Sequence, residues 1–134
     1  MTYLLDTDIC IYLLNGREPQ VKRNADLAPR SEIVISTLTM AEMFSGAARS
    51  EQPLLTHAKQ SAFFMQYSIL PFDEDAASVY GRIDGYLKDA GIRIGPVDTQ
   101  IAAIALANNL ILVTHNTRHF NRVPNLTMED WVVA

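Results

Sequence analysis

Three acids and an asparagine close four apolar runs in this chain. Asp6 follows Leu4-Leu5, Glu42 follows Thr39-Met40-Ala41, Asp98 follows Pro96-Val97, and Asn116 follows Leu112-Val113-Thr114-His115. Carboxylate oxygens are hard donors, and an all-oxygen cluster is the kind of site that holds magnesium or manganese. Two carboxylates about 4 Å apart repel by roughly 4 kcal/mol at an effective dielectric near 20. Three in one crevice must therefore take up protons or recruit a cation. The four positions are remote in sequence, but loops leaving the carboxyl ends of parallel strands converge on one crevice. An α/β sheet would thus gather them.

Each residue also has a local reading. Asp6 or Asp8 suits the N-cap of a helix beginning near Ile9, because a short side-chain oxygen accepts from exposed helix amides. Thr39-x-x-Glu42 has the form of a capping box. Asp98, between Pro96 and an unbroken apolar stretch, is placed as an N-cap, and Asn116 as a turn residue after a strand. Separate caps have no reason to converge in space, whereas metal ligands must.

The elements that would position these groups alternate in type. Tyr3 to Leu5 reads as a buried strand, Ile9 to Leu14 as a short helix stopped at Asn15-Gly16, and Pro19 to Ala28 as a more polar helix. Ile33 to Ile35 is β-branched and reads as a strand, followed by a helix from Thr39 to Arg49. Pro53 to Tyr67 is expected to be helical, with Leu54, Ala58, Ala62 and Met65 as its stripe; Ser68 to Phe72 is the next strand. Ala76, Val79, Tyr80, Ile83 and Leu87 mark a long helix ended by Gly91. Asp98 opens a helix to Asn108, Leu110 to Val113 forms a strand, and a final strand is expected within Leu126 to Val133. This alternation predicts an α/β fold around a mainly parallel sheet.

The chain of 134 residues fits a single domain spanning positions 1–134, and its 49% hydrophobic content supplies one core. Eleven Lys and Arg against fifteen Asp and Glu give a net charge of −4, unlike a protein that coats DNA. Scattered arginines, among them Arg49, Arg93 and Arg118, leave room for a local basic rim. The lone Cys10 suits a reducing compartment. With no secretion signal at Met1-Thr2-Tyr3 and no apolar stretch long enough for a bilayer, the expected address is the cytoplasm, without a membrane partner. His115 and His119 are spaced for one helix face, but no cysteine or third histidine is close by to complete a zinc site. Nucleophile-elbow, Walker and dinucleotide-binding motifs are absent.

Taken in order, four segments resemble the PIN-domain ribonucleases, and more closely the VapC toxins of type II toxin–antitoxin pairs. They are Leu4-Leu5-Asp6-Thr7-Asp8-Ile9, the run from Ser36 to Ala47, Asp98 to Ala105, and Leu112 to Phe120. Each motif alone is loose; four in this order and spacing are specific. The resemblance implies an α/β/α sandwich with a mainly parallel central sheet and an acidic pocket at one edge. It puts Asp6, Glu42 and Asp98 on the family's three core acids, and Asn116 where many members carry a fourth. Asp8 stands where Asn or Ser is usual. The implied activity is endoribonuclease hydrolysis with Mg²⁺ or Mn²⁺, leaving a 5′-phosphate and a 3′-hydroxyl. Thr7, Thr114 and Thr117 would orient waters around the ion, and Arg118 would hold a flanking phosphate. The implied partners are an RNA substrate such as tRNA or rRNA, a cognate antitoxin and a second copy in a homodimer.

Two other functions compete. Asp6-Thr7-Asp8 has the D-x-D form of haloacid-dehalogenase-like phosphatases, with Asp6 as nucleophile and Asp8 as general acid, although Cys10 departs from that motif. A PIN-like binding module with a decayed pocket is the non-enzymatic alternative.

Overall fold

The computed structural model describes residues 1–133. Five strands form one sheet: β1 (Tyr3–Leu5), β2 (Ile33–Ser36), β3 (Ser68–Leu70), β4 (Ile111–Val113) and β5 (Met128–Glu129). Their spatial order is β3-β2-β1-β4-β5, and every pairing is parallel. The chain builds outward from β1 on one side, then returns to build on the other. The end of β1 is therefore the topological switch point, where the crevice of an open α/β sheet lies.

Seven helices flank the sheet among the described residues: α1 (Thr7–Asn15), α2 (Pro19–Leu27), α3 (Thr37–Ala48), α4 (Pro53–Phe64), α5 (Glu74–Asp89), α6 (Pro96–Ala107) and α7 (Thr117–Phe120). Side chains alternate across a strand, and the registers Leu4↔Val34 and Leu4↔Leu112 put these three on one face. That face packs against Ala76, Ile83 and Leu87 of α5 and the apolar side of α6. Leu5, Ile35 and Val113 point the other way, into a cluster with Ile9, Val21, Met43, Phe63 and Phe64. The result is the expected α/β/α sandwich.

Several local expectations differ from the structure. The stripe assigned to α4 faces outward, with Leu54 89% and Met65 87% exposed; the helix instead buries Gln60, Phe63 and Phe64. It also stops at Phe64, and β3 ends at Leu70 rather than reaching Phe72. The final strand shrinks to Met128–Glu129, and Trp131 lies beyond it, packed 5.3 Å from the Tyr3 ring. Helix α6 opens at Pro96 rather than at Asp98, so Pro96-Val97 is already its first turn. Gly91 ends α5 as expected, with positive φ and the Ile92 amide donating to Leu87 O at 2.8 Å.

Candidate active site

Asp6 is the first residue past β1, only 6% exposed, and its amide donates to Val113 O at 3.0 Å, which fastens it to the end of β4. Its Oδ1 accepts from the Ile9 amide at 3.0 Å, so Asp6, not Asp8, caps α1. The helix accordingly starts at Thr7 instead of Ile9. Capping does not satisfy the charge. Burial pushes the Asp6 carboxyl up to about 7, against the opposing influence of the Thr114 hydroxyl and the Ile9 amide, and Asp8 and Asp98 push it further.

Glu42 arrives on α3, but not through a capping box. Ser36, the buried last residue of β2, caps this helix by accepting from the Thr39 amide at 3.2 Å. Ser36 was detectable in the sequence as a good capping residue directly after a β-branched strand. Glu42 lies one turn in and accepts from Thr7 Oγ1 at 2.5 Å; that same hydroxyl is 3.1 Å from Thr39 Oγ1. A chain of hydroxyls thus ties the start of α1 to α3.

Asp98 is the third residue of α6, whose N-cap is Gly95 at φ 89°, so Asp98 is no cap either. It is tied to His119 of α7, whose Nε2 is 3.1 Å from Asp98 Oδ2 and 2.6 Å from Ile94 O. Arg122 Nη2 lies 3.1 Å from the other ring nitrogen. An arginine can only donate, so Nδ1 accepts and Nε2 carries the hydrogen shared by Ile94 O and Asp98. Burial raises the Asp98 carboxyl above its usual range; His119 opposes this, while Glu42 and Asp8 add to it. His119 is the residue that reading the sequence missed, since nothing in its spacing from Asp98 marks the contact. His115 is engaged elsewhere, 2.9 Å from Asp130, so the two histidines share no site.

The acids therefore act on one another electrostatically: Asp6 feels Asp8 and Asp98, and Asp98 feels Glu42 and Asp8. Among the described residues, however, no group of three or more His, Cys, Asp or Glu side chains is arranged to hold a metal ion as it stands. Thr7 keeps Glu42, and His119 keeps Asp98. The donor set is still all oxygen, and its mutual repulsion is what a divalent cation relieves. Thr114 is fully buried at the end of β4 and accepts from the Asn116 amide at 3.0 Å, which shapes the turn into α7. Asn116 stands at the N-cap position of α7 without a side-chain capping bond; Thr117 opens that helix and Arg118 is exposed on it. Asp8 is exposed in the first turn of α1.

Comparison with known proteins shows the family. Residues 3–126 match the PIN domain, and the chain belongs to that family. Within the family it is similar to ribonuclease VapC2 of Rickettsia felis, at 35% identity over 98% of both chains, and to the tRNA(fMet)-specific endonuclease VapC of Shigella flexneri, also at 35% over 98% of both. Among solved structures it resembles the DNA-bound VapBC of Salmonella typhimurium, with a TM-score of 0.92, 32% identity and 98% of both chains covered.

Proposed function

We propose that the crevice at the end of β1 is a divalent-metal site that hydrolyses RNA phosphodiesters, and that the chain is a VapC-like endoribonuclease toxin neutralised by a cognate antitoxin. The observation that carries this reading is Asp6: a carboxylate buried at the switch point, pressed toward protonation by its surroundings and by further acids. Asp6, Glu42 and Asp98 would hold the ion, with Mg²⁺ or Mn²⁺ favoured by the oxygen donors. The bound ion supplies positive charge that polarises a phosphoryl oxygen and acidifies the attacking water.

The chain's own residues do the rest. Thr7 and His119 fix the orientations of Glu42 and Asp98, two of the carboxylates that would hold the ion. Thr114, Asn116 and Thr117 line the turn where water is oriented, and Arg118 offers a charge for a flanking phosphate. Transfer RNA is the first substrate to try, since one relative is named a tRNA(fMet)-specific endonuclease. The similarity to VapBC complexes supports an antitoxin partner; a homodimer belongs to the same reading. An RNA substrate also favours the cytoplasm, and no helix among the described residues is long and apolar enough to cross a membrane.

The test is cleavage of tRNA and rRNA with Mg²⁺ or Mn²⁺, with and without EDTA, by wild type and Asp6→Asn. Metal-dependent cutting lost in Asp6→Asn is expected, together with lost toxicity on expression. Equal toxicity of the two proteins and no cutting by wild type would refute the reading. The phosphatase alternative predicts a phosphoaspartate on Asp6, and nothing in the site favours it: Asp8, its general acid, is exposed on α1.

A further inference from the structure

A second feature adjoins the acid crevice. Between α1 and the α3–α4 pair lies a cleft of about 480 Å³, within the roughly 300–1,000 Å³ typical of small-molecule sites. Thr7 and Glu42 belong to both the cleft and the crevice, so the two are continuous. Its walls include apolar Ile11 and Met43, and Arg49 also lines it. No ion pair among the described residues engages Arg49, which is exposed. Gln60 of α4 completes the lining although it is only 7% exposed, and its Oε1 has no hydrogen-bond partner among the described residues. An unpaired buried carbonyl oxygen is costly and calls for an explanation. The terminal torsion of glutamine is soft, so the amide can turn this oxygen toward the cleft without moving its helix.

We infer that this cleft is a nucleobase slot, in which the Gln60 carboxamide reads an amino-bearing base of the RNA beside the scissile phosphate. The inference rests on the nuclease reading above for the position of that phosphate. A carboxamide matches an adenine or cytosine edge: the exocyclic amino group donates to Oε1, and Nε2 donates to the neighbouring ring nitrogen. Apolar walls suit the faces of the base, and Arg49 suits the phosphate on its far side. A protein segment would find the same apolar walls, but the free cation and the continuity with the acid crevice favour a nucleotide.

The experiment uses the full chain carrying Asp6→Asn, expected to bind without cutting, alone and combined with Gln60→Leu. Fluorescence anisotropy measures single-stranded RNA oligonucleotides bearing adenosine or cytidine next to the cut site, against the same RNAs with purine riboside, 2-pyrimidinone riboside or uridine there. Cleavage by the Gln60→Leu single variant is measured in parallel with wild type. Removing the amino group is expected to weaken binding roughly tenfold, and this discrimination is expected to collapse toward unity with Gln60→Leu. The Gln60→Leu fold should melt no lower than wild type, because an unpaired polar atom is removed. Arg49→Gln is expected to weaken all the RNAs alike. Absence of any base preference, or a preference unchanged by Gln60→Leu, overturns the slot. So does a tenfold loss of antitoxin binding in Gln60→Leu with RNA preference intact, which would assign the cleft to the protein partner. Failure of wild type to cut any RNA would count against the nuclease reading separately, because the binding arm does not depend on turnover.

Discussion

Neutralising Asp6 should stabilise the metal-free protein, and the size and pH dependence of the gain can be worked out. The carboxyl stands at about 7 in the folded chain against 3.8 ordinarily. At roughly 1.4 kcal/mol per pH unit this is a penalty of up to about 4 kcal/mol for holding the ionised group folded. The sign follows from proton binding. Between about pH 4 and pH 7 the native state holds the proton and the unfolded state does not, so stability falls as pH rises through that window. Asn caps a helix as well as Asp does, so Asp6→Asn keeps the bond to the Ile9 amide and loses only the charge. In EDTA at about pH 8 the variant should exceed wild type by about 1–4 kcal/mol, and near pH 4 the two should agree. Urea unfolding followed by circular dichroism reads this directly. Adding Mn²⁺ at a hundred times its dissociation constant should stabilise wild type by about 2.7 kcal/mol and the variant much less, so the gap should narrow by about that amount. A variant less stable than wild type in EDTA at high pH, or a difference that ignores pH, would refute the reasoning. Asp6 would then be a structural cap whose charge costs nothing.

Asp98→Asn should likewise leave the metal-free fold as stable as wild type or more so, because repulsion from Glu42 and Asp8 is relieved; marked unfolding in a thermal melt would assign Asp98 a structural role. His119→Ala should lower kcat more than KM, because Asp98 loses its orienting donor, and His119→Gln should recover part of the loss; equal activity of all three proteins would dismiss the contact. Thr7→Val removes the hydroxyl that ties Glu42 to α1, so a weaker Mn²⁺ requirement for half-maximal cleavage, with no change in fold by circular dichroism, is expected if that tie competes with the ion. A stronger requirement would mean that Thr7 prepares Glu42 for the metal instead.

Much of this protein was legible from local pattern. β-branched and apolar runs marked β1, β2 and β4 because buried parallel strands are apolar on both faces, and Leu4, Leu5, Ile33, Val34, Ile35, Leu112 and Val113 are all buried. The alternation with helices determined the layered fold, and Asp6 was legible as an acid directly after a buried strand. Sequence periodicity misassigned α4, since Leu54 and Met65 are apolar yet face outward, while polar Gln60 is inside. An apolar stripe shows which residues could be buried; only the neighbouring helices decide which face is covered.

The caps were decided by competition that no single segment reveals. The Thr39-x-x-Glu42 spacing suggests a capping box, yet the Thr39 amide donates to Ser36, which serves as the cap, and Glu42 accepts from the Thr7 hydroxyl of another helix. Asp98 meets His119 because α6 and α7 are both anchored against the same face of the sheet. Residue types and their order determined the chemistry available to this chain: hard carboxylate oxygens after a buried strand and early in two helices. Tertiary structure decided the charge state of that chemistry and its partners, because burial, the distance between remote carboxylates and hydrogen bonds across elements exist only once the chain has folded.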